Sequence, residues 1–516
     1  MRIRNYPLAE SASCWFKASV LTLMSISSLT FPALAGDAVV IFPAPRGEEV
    51  LQDYTVTVEG RSVPVSACRV SAVPFNQVWP GYQRSLDQTE LGGFASWDAT
   101  GPVTVEVTPL RPVKSVVVRP SARGITPVVK AGKFQFQLPS PGQFTVELDG
   151  PHQALHLFYN SPETDPPKHD DPSVRYFGPG LHRVGEIALT DNQTIYIAGG
   201  AVVHGYVSGR NVSNICIRGR GILDGSEFPR DTGKGNIRLL ECEDVVIDGV
   251  ILRDPNEWGC TLLGCRRATL NNIKLIGLWR YNADGIDLCN SEEVVVRDAF
   301  VRSFDDGIVI KGLKPWKDKA ARNIRVERCV VWCGWGRALE IGAETSAPEI
   351  GNVIFEDCDI IRTTHIAMDI QHGDRATVHD IQFRDIRVEL DDVCLPPRMQ
   401  KTREDRYTEK SDSTYLPQLM VVVIRKNYYS KDNQSGIIRD VTFQNIRVTG
   451  KRMPASSFAG LDAAHTVENV TIRDIRQGAG ATPLTADQLN VRTNPFVKRL
   501  VFVPASGKIH GAEETK

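Results

Sequence analysis

The sequence has no long apolar run after its first 35 residues, so no later segment is predicted to span a bilayer. It has no Cys-x-x-Cys pair or other metal-ligand spacing, and it therefore predicts no zinc site and no cofactor. It also lacks an excess of either charge, since 60 Lys and Arg against 61 Asp and Glu leave a formal charge of −1. That balance favours neither nucleic acid nor a membrane surface as a partner. The composition, 42% hydrophobic and 23% charged, is that of a soluble globular protein.

The N-terminus is typical of an exported protein. Arg2, Arg4 and Lys17 flank a short apolar stretch, and Ala33-Leu-Ala35 supplies small residues of the kind a signal peptidase reads. We therefore predict a signal peptide over residues 1–35, with cleavage near Ala35. The mature protein is expected to be secreted or periplasmic, without a membrane span.

Residues 36–160 contain short segments of alternating apolar and polar residues between Gly, Pro and Asp clusters. This pattern predicts an N-terminal antiparallel β-sandwich. Residues 161–173 are polar and rich in proline, and they are predicted to be a linker.

A repeat begins near residue 174 and determines the predicted fold. Segments of apolar-x-apolar form recur, and aligning them gives intervals of 30, 23, 26, 30, 29, 28, 60 and 29 residues. The aligned positions are Ile217, Ile247, Leu270, Val296, Val326, Phe355, Phe383, Phe443 and Ile472. We interpret the interval of 60 as two coils, with Met420–Ile424 as the strand between them.

A bend is predicted two residues after each aligned position. Eight of the nine residues there are Gly, Asn or Asp, which best tolerate a left-handed backbone. One sharp bend per coil beside inward apolar residues predicts a right-handed parallel β-helix over residues 174–505. Residues 506–516 are predicted to be a loose tail.

Three aspartates occupy two similar phrases in this repeat. Tyr281-Asn-Ala-Asp284-Gly-Ile and Phe304-Asp305-Asp306-Gly-Ile both present an acid before Gly-Ile. The coil alignment stacks Asp284 on Asp306, with Asp305 offset by one residue. Clustered carboxylates raise one another's pKa, which suits general acid and base chemistry on a sugar.

The same alignment brings further polar and aromatic side chains to this face. One predicted column holds Trp258, Asp284, Asp306 and Arg337, and another holds Asp287, Glu340 and Asp369. Aromatic rings beside carboxylates suit a polysaccharide, and Trp279 and Tyr281 are further rings at this place. The candidate substrate-binding residues are Asn282, Asp287, Lys311, Trp258, Trp335, Arg337, Glu340, Glu344, His365 and Asp369.

The pair Asn282-Ala-Asp284 and Asp305-Asp306 resembles the motifs of polygalacturonase-type glycoside hydrolases, family 28. It is also similar to the related family 49 dextranases and isopullulanases, which carry a β-sandwich before the β-helix. The resemblance implies that Asp305 is the general acid. It implies that Asp284 and Asp306 activate the water in an inverting mechanism without a metal.

Two departures from the family pattern concern the substrate. Gly334-Trp335-Gly336 stands where polygalacturonases have Gly-His-Gly, and Asp369 lies in the stretch where they have Arg-Ile-Lys. An anionic sugar is disfavoured beside Glu340 and Asp369, so we expect a neutral or basic glycan rather than a galacturonate.

Two other functions stay open at this point. The acids could bind Ca²⁺ in a polysaccharide lyase of the same fold. Without the family histidine, the chain could also be a non-catalytic glycan-binding β-helix protein.

Overall fold

The computed structural model describes residues 39–77, 84–232, 235–392, 394–408, 414–478 and 482–503. The predicted signal peptide and the predicted tail at 506–516 lie outside these ranges. No helix in the described part is long and apolar enough to cross a membrane. Its regular structure is almost entirely β, apart from short 3-10 turns at Leu86–Gln88, Ser121–Arg123, Arg230–Thr232, Lys314–Trp316 and Ala486–Gln488.

The N-terminal region holds twelve described strands. They are β1 (Val40–Ile41), β2 (Tyr54–Val58), β3 (Arg61–Val63), β4 (Ser66–Ser71), β5 (Phe75–Gln77), β6 (Thr89–Asp98), β7 (Val103–Pro109), β8 (Val116–Arg119), β9 (Val128–Lys130), β10 (Lys133–Leu138), β11 (Gly142–Leu148) and β12 (Leu155–Asn160). One sheet has the order β1-β6-β12-β11-β8 with β4 beside β6, and the other has the order β3-β2-β7-β10-β9.

These two sheets form the expected β-sandwich. The alternation of β10, in which Phe134, Phe136 and Leu138 are buried and the residues between them exposed, places one face of that strand in the core. The sandwich is not antiparallel throughout, because β12 pairs with β6 in parallel. Between Asn160 and Val174 the structure describes no strand. The limits of the predicted domains stay a prediction.

The remaining strands begin at Val174. They are β13 (Val174–Phe177), β14 (Gly180–Ala188), β15 (Thr194–Ile197), β16 (Ala201–Arg210), β17 (Ser213–Gly219), β18 (Ile222–Asp224), β19 (Ile237–Leu240), β20 (Glu243–Asp248), β21 (Ile251–Arg253), β22 (Cys260–Leu263), β23 (Arg266–Asn271), β24 (Lys274–Ile276), β25 (Ile286–Cys289), β26 (Glu292–Arg297), β27 (Phe300–Ser303), β28 (Ile308–Gly312), β29 (Ala321–Glu327), β30 (Val330–Cys333), β31 (Arg337–Thr345), β32 (Glu349–Glu356), β33 (Asp359–Thr363), β34 (Ile366–His372), β35 (Thr377–Arg384), β36 (Arg387–Val388), β37 (Arg398–Gln400), β38 (Gln418–Ile424), β39 (Ile438–Val448), β40 (Ser456–Ala459), β41 (Val467–Gln477), β42 (Val491–Thr493) and β43 (Val497–Val503).

All of these strands except β37 pair in parallel as one continuous β-helix. Each coil contributes a strand to a front sheet, a middle sheet and a back sheet in turn; β22, β23 and β24 make one such coil. The predicted register is confirmed along the middle sheet, where Ile217 pairs with Ile247, and each later aligned position pairs with the next. The right-handed parallel β-helix is therefore the fold.

The predicted bends are confirmed as well. The residues two places after the aligned positions all have positive φ, from 51° at Asn272 to 131° at Gly219. Arg328 departs from the Gly, Asn and Asp preference yet adopts φ 53°. A second set of left-handed residues lies within the middle strands, for example Asn323 in β29 and Asn352 in β32, whose side chains hydrogen bond across coils at 2.8 Å.

The interpretation of the 60-residue interval was wrong. Phe383 pairs directly with Phe443, and their rings stack with centroids 5.0 Å apart, so the interval is a single coil. Met420–Ile424 lies in β38 of the front sheet, where it pairs with β34. The extra length lies in the loops before and after β38, and a buried front strand has the same apolar pattern as a middle strand.

The back sheet of the β-helix packs against the first sheet of the sandwich. Phe94 and Phe158 of the sandwich share one buried cluster with Ile251 and Phe300 of the back sheet. Buried ion pairs reinforce this contact, including the Arg220 Nε–Asp98 Oδ1 pair at 3.0 Å. The front sheet therefore faces away from this interface, and it carries the acidic residues.

Candidate active site

The two Asp-Gly-Ile turns lead into adjacent strands of the front sheet. Gly285 N donates to Asp306 O at 2.8 Å, and Gly307 N donates to Arg337 O at 2.7 Å, so the turns lie one directly above the other. A Cβ at Gly307 would lie 2.5 Å from Ala338 O in the next coil. Glycine follows each aspartate because stacked coils leave no room there for a side chain.

The predicted columns are brought together as the sequence suggested. Asp287 pairs with Val309, Val309 with Glu340, and Glu340 with Asp369. Ile286 pairs with Ile308, which sets Asp284 level with Asp306. The strand register therefore places these acids on successive rungs of one face.

Lys311 is the cation at the centre of the first group of acids. Its Nζ lies 3.1 Å from Asp284 Oδ2 and 3.2 Å from Asp306 Oδ2. It also lies 3.6 Å from Asp287 Oδ1 and 3.9 Å from Glu344 Oε2. Because Lys311 is only 4% exposed, it neutralises these carboxylates without competition from water.

Arg337 is the cation of the second group. Its Nη1 lies 3.6 Å from Asp306 Oδ1, and its Nε lies 3.3 Å from Asp369 Oδ2 and 3.9 Å from Glu340 Oε1. Glu340 and Asp369 are completely buried. Their carboxyl groups therefore interact electrostatically with Arg337 and Asp306 and do not face the open side of the front sheet.

The three aspartates predicted to be catalytic differ in protonation. Burial and then the Asp306 charge raise the pKa of Asp305 to about 7. Burial also raises the pKa of Asp284 well above its ordinary range, with Lys311 only partly opposing it. Burial acts in the same direction on Asp306, but Lys311 and Arg337 outweigh it and lower its pKa. At neutral pH a partly protonated acid thus stands beside an ionised one.

Burial is the main cause of the pKa shifts of the surrounding carboxyl groups. It raises the pKa of Asp287 to about 8 and that of Asp369 to about 6. It also raises the pKa of Glu340 well above its ordinary value, with the Asp306 charge adding to the effect. Burial, followed by the Arg337 charge, lowers the pKa of His365 to about 4, so this histidine is neutral at pH 7.

The aromatic side chains divide into two kinds. Trp258 and Trp335 are half-buried, and the Trp258 ring centroid lies 4.7 Å from Lys311 Nζ. Trp335 stacks on Phe304, with centroids 6.3 Å apart and planes at 22°. Trp279 and Tyr281 are buried and do not present a ring to solvent.

The Gly334-Trp335-Gly336 turn packs closely against the acid pair. A Cβ at Gly336 would lie 2.6 Å from both the backbone N and Oδ1 of Asp306. Arg337 N donates to the same Asp306 Oδ1 at 3.3 Å. Asn282, half-buried, has φ 57°, so its backbone conformation alone accounts for an asparagine there.

Two residues near the acids were missed by the sequence analysis. Arg84 comes from the N-terminal region and lies over the rings of Tyr281 and Phe304. Tyr429 follows β38, and burial and the charges of Asp305 and Glu344 raise its pKa to about 12. The tandem Tyr428-Tyr429 was a visible signal, whereas nothing in the local sequence marks Arg84.

One carboxylate oxygen from each of Asp284, Asp305 and Asp306 lies within 4.8 Å of the others. Such a group could in principle hold a cation. However, Lys311 Nζ already hydrogen bonds to two of the three carboxylates. The lysine therefore supplies the positive charge that a metal ion would otherwise bring.

The fold and this face together define a right-handed parallel β-helix protein with an acidic, aromatic-flanked site. Residues 200–397 match the family model of glycosyl hydrolases family 28. "Polygalacturonase QRT2" of Arabidopsis thaliana is 23% identical over 199 residues, which cover 34% of this chain and 42% of that protein. "Exopolygalacturonase clone GBGE184" of Arabidopsis thaliana is 23% identical over 221 residues, 42% of this chain and 44% of that protein. Over residues 200–397 the chain is therefore similar to family 28 glycosyl hydrolases.

The matched part of the chain spans less than half the length of these two relatives. Among solved structures, "Dex49A from Penicillium minioluteum" is similar with a TM-score of 0.62. The likeness covers 89% of this chain and 96% of that one at 13% sequence identity. At that identity the similarity concerns the fold alone, and it extends over the sandwich as well as the coils.

Proposed function

We propose that this protein is a glycoside hydrolase that cleaves O-glycosidic bonds of a neutral polysaccharide or oligosaccharide. Asp305 is the general acid, and Asp284 and Asp306 hold and activate the attacking water. The observation that carries the proposal is the contrast between adjacent acids: Asp305 is half-exposed with a pKa near 7, while Asp306 is kept ionised by two cations.

The proposed stereochemistry is inversion. The acid and base of inverting enzymes usually stand about 6.5–9.5 Å apart, and those of retaining enzymes about 5–5.5 Å apart. The trio here is compact, with one oxygen of each acid within 4.8 Å of the others. Two carboxylates joined through Lys311 nevertheless favour a water-holding pair over a single free nucleophile.

The preference for a neutral substrate rests on the charge of the site. Seven carboxyl groups surround two cations, Lys311 and Arg337, which already pair with six of them. The acidic members are Asp284, Asp287, Asp305, Asp306, Glu340, Glu344 and Asp369. A uronate carboxylate at this place would meet no unpaired cation of the two, and the ionised Asp306 would repel it.

The residues open to a sugar are the half-buried ones. We propose that Trp258, Trp335, Glu344 and His365 contact the substrate, with Arg337 at the edge of the site. Asp287, Lys311, Glu340 and Asp369 are buried and act through the electrostatics of the catalytic aspartates. Tyr428, 77% exposed beside Tyr429, adds an aromatic surface next to the acids.

The experiment that tests the proposal compares the wild-type protein with Asp305→Asn on neutral and acidic glycans. Reducing-end release by the wild type on a neutral glycan, loss of turnover in the variant and unchanged binding are expected. Wild-type turnover in the variant would contradict the acid assignment. Unsaturated products and EDTA sensitivity would indicate a lyase, and binding without turnover would indicate a glycan-binding protein.

We further propose that the mature chain is exported after removal of residues 1–35. The support is the basic and apolar N-terminus followed by Ala33-Leu-Ala35. Mass spectrometry of the secreted protein should give an N-terminus near Gly36. An intact Met1 on the exported protein would contradict the prediction.

A further inference from the structure

Arg84, a residue of the N-terminal region, is buried against both aspartate turns. Arg84 is only 2% exposed. The guanidinium carbon lies 3.9 Å from the ring centroid of Phe304 and 4.6 Å from that of Tyr281. Phe304 directly precedes Asp305, and Tyr281 stands three residues before Asp284. One side chain therefore contacts an aromatic ring next to each of two acids.

Arg84 is held in place by its own region. Its Nη1 donates to Ser71 Oγ at 2.9 Å and its Nη2 donates to the Phe75 carbonyl at 2.8 Å. Within the described ranges its Nε has no hydrogen-bond partner, and no carboxylate lies within ion-pair distance. A buried guanidinium normally has a paired anion. Burial lowers the pKa of Arg84 to about 9, and the charges of Tyr281 and Asp305 only partly oppose this effect.

The same turn is fixed at the Tyr281 hydroxyl. That hydroxyl hydrogen bonds to Gln88 Oε1 at 3.2 Å and to Gln400 Oε1. Gln88 belongs to the N-terminal region, and Gln400 ends β37, which pairs in parallel with β5. A sandwich loop and an insertion of the β-helix thus meet behind the first acidic turn.

We propose that Arg84 is a positioning residue of the active site: it fixes the rings of Phe304 and Tyr281, and through them the orientation of Asp305 and Asp284. This inference rests on the proposed function. It makes the N-terminal region part of the catalytic unit rather than an accessory module. The Asp305 charge also acts on Arg84, so the guanidinium in turn favours the ionised form of Asp305.

The kinetic test uses Arg84→Gln, Arg84→Lys and a matched control. In Arg84→Gln, kcat should fall about 10- to 100-fold with little change in KM, since misplacing an acid by about 1 Å has effects of this size. The basic limb of its pH profile should move to higher pH, because a lost cation raises the Asp305 pKa. Arg84→Lys keeps the charge, so its pH limb should stay near that of the wild type.

The control is Arg119→Gln at the same interface. Arg119 of the sandwich pairs with Glu389 of the β-helix, away from the acids. This variant should lower Tm but leave the pH limb unchanged. If Arg84→Gln is folded and retains the wild-type kcat and pH limb, or if Arg119→Gln shifts the limb equally, the proposal is overturned.

A second readout does not depend on hydrolysis. Carboxyl carbons of ¹³C-labelled aspartate are titrated by NMR, with the Asp305 signal assigned by its absence in Asp305→Asn. The Asp305 pKa should be higher in Arg84→Gln than in the wild type by several tenths of a unit or more. Identical titrations would overturn the inference about Arg84. Absence of turnover on every glycan, with the titration shifted, would instead count against the proposed function alone.

Discussion

The two Asp-Gly-Ile turns share a local sequence and a backbone arrangement but differ in electrostatics. Asp284 hydrogen bonds to Lys311, whereas Asp306 lies between Lys311 and Arg337. Burial raises the pKa of Asp284, and the two cations reverse that effect at Asp306. The repeat therefore places two similar carboxylates one above the other, and the next coil decides which one is ionised.

The comparison also shows how a repetitive fold separates the roles of similar residues. The backbone positions are set by stacking, which is nearly the same on every coil. The charge at each position is set by the side chain of that coil alone. Arg337, for example, pairs with the uncharged Ile366 of the next coil. Chemistry can thus vary from rung to rung without any change in the fold.

Lys311→Met removes the cation that both turns share, and it should have the largest effect. Buried carboxylates without their cation destabilise the fold, by about 3–5 kcal/mol. Activity should fall by on the order of 10²–10³, because the charge distribution around the water changes. Urea unfolding and kcat measure these effects. Lys311→Arg, which keeps the charge, is the control, and wild-type activity in Lys311→Met would contradict the role of the lysine.

Arg337→Gln removes the cation that Asp306 has and Asp284 lacks, and it should make the two turns alike. The Asp306 pKa then rises, so a higher pH is needed to ionise the base. The acidic limb of the kcat/KM profile should move up by about one unit, which is about a tenfold loss at pH values below the limb. Full pH profiles of both proteins test this. An unmoved limb would show that Lys311 alone keeps Asp306 ionised.

Gly336→Ala disturbs only the second turn. The added Cβ would lie 2.6 Å from Asp306 N and Oδ1, whereas at Gly334 the nearest heavy atom, Ser303 O, is 3.4 Å away. We expect a loss of about 1–3 kcal/mol of stability and a clear loss of kcat in Gly336→Ala. Gly334→Ala is the matched control and should have small effects. Equal effects of the two substitutions would contradict a specific contact at Asp306.

Asp287→Asn tests the buried acid beside the first turn and should have the smallest effect. The folded-state pKa of Asp287, raised to about 8, exceeds its unfolded value, so the folded state binds the extra proton. Its contribution to stability therefore declines as pH rises from about 4 towards 8. The variant should gain stability relative to the wild type at pH 9, on the order of 1 kcal/mol, and show little gain at pH 5.

Urea unfolding at both pH values measures the effect of Asp287→Asn. The exposed Asp170→Asn is the control and should behave like the wild type at each pH. A smaller advantage of Asp287→Asn at pH 9 than at pH 5 would show that Asp287 is stabilised in its charged form by Lys311.

The β-helix and its register could be predicted because each coil repeats the same local requirements. Inward apolar residues and left-handed bends form a short sequence pattern that recurs in every coil. Aligning this pattern predicts the pairing of Ile217 with Ile247. The same reasoning failed between Phe383 and Phe443, since apolar alternation does not distinguish a front strand from a middle strand. Loop length, unlike strand pattern, has no fixed period.

The sequence also predicted which residues of the β-helix lie at the site. It did not predict how deeply they are buried or which residues distant in the chain contact them. The sequence placed Glu340 and Asp369 on the acidic face without showing that both are completely buried beside Arg337. Arg84 reaches the site through the packing of the sandwich, which depends on contacts far apart in the chain. Trp279 and Tyr281 were placed among the rings beside the acids, and only three-dimensional packing shows that both are buried.

The stereochemistry of cleavage tests the proposed mechanism most directly. The three aspartates lie close together, with one oxygen of each within 4.8 Å of the others, so the spacing alone does not decide between inversion and retention. The first-formed product of the wild-type protein on a cleaved neutral glycan is followed by proton NMR before mutarotation, with Asp305→Asn as the inactive control. The account predicts inversion of the anomeric centre. A product that retains the configuration would contradict the water-holding role of Asp284 and Asp306 and would instead make one of them the nucleophile.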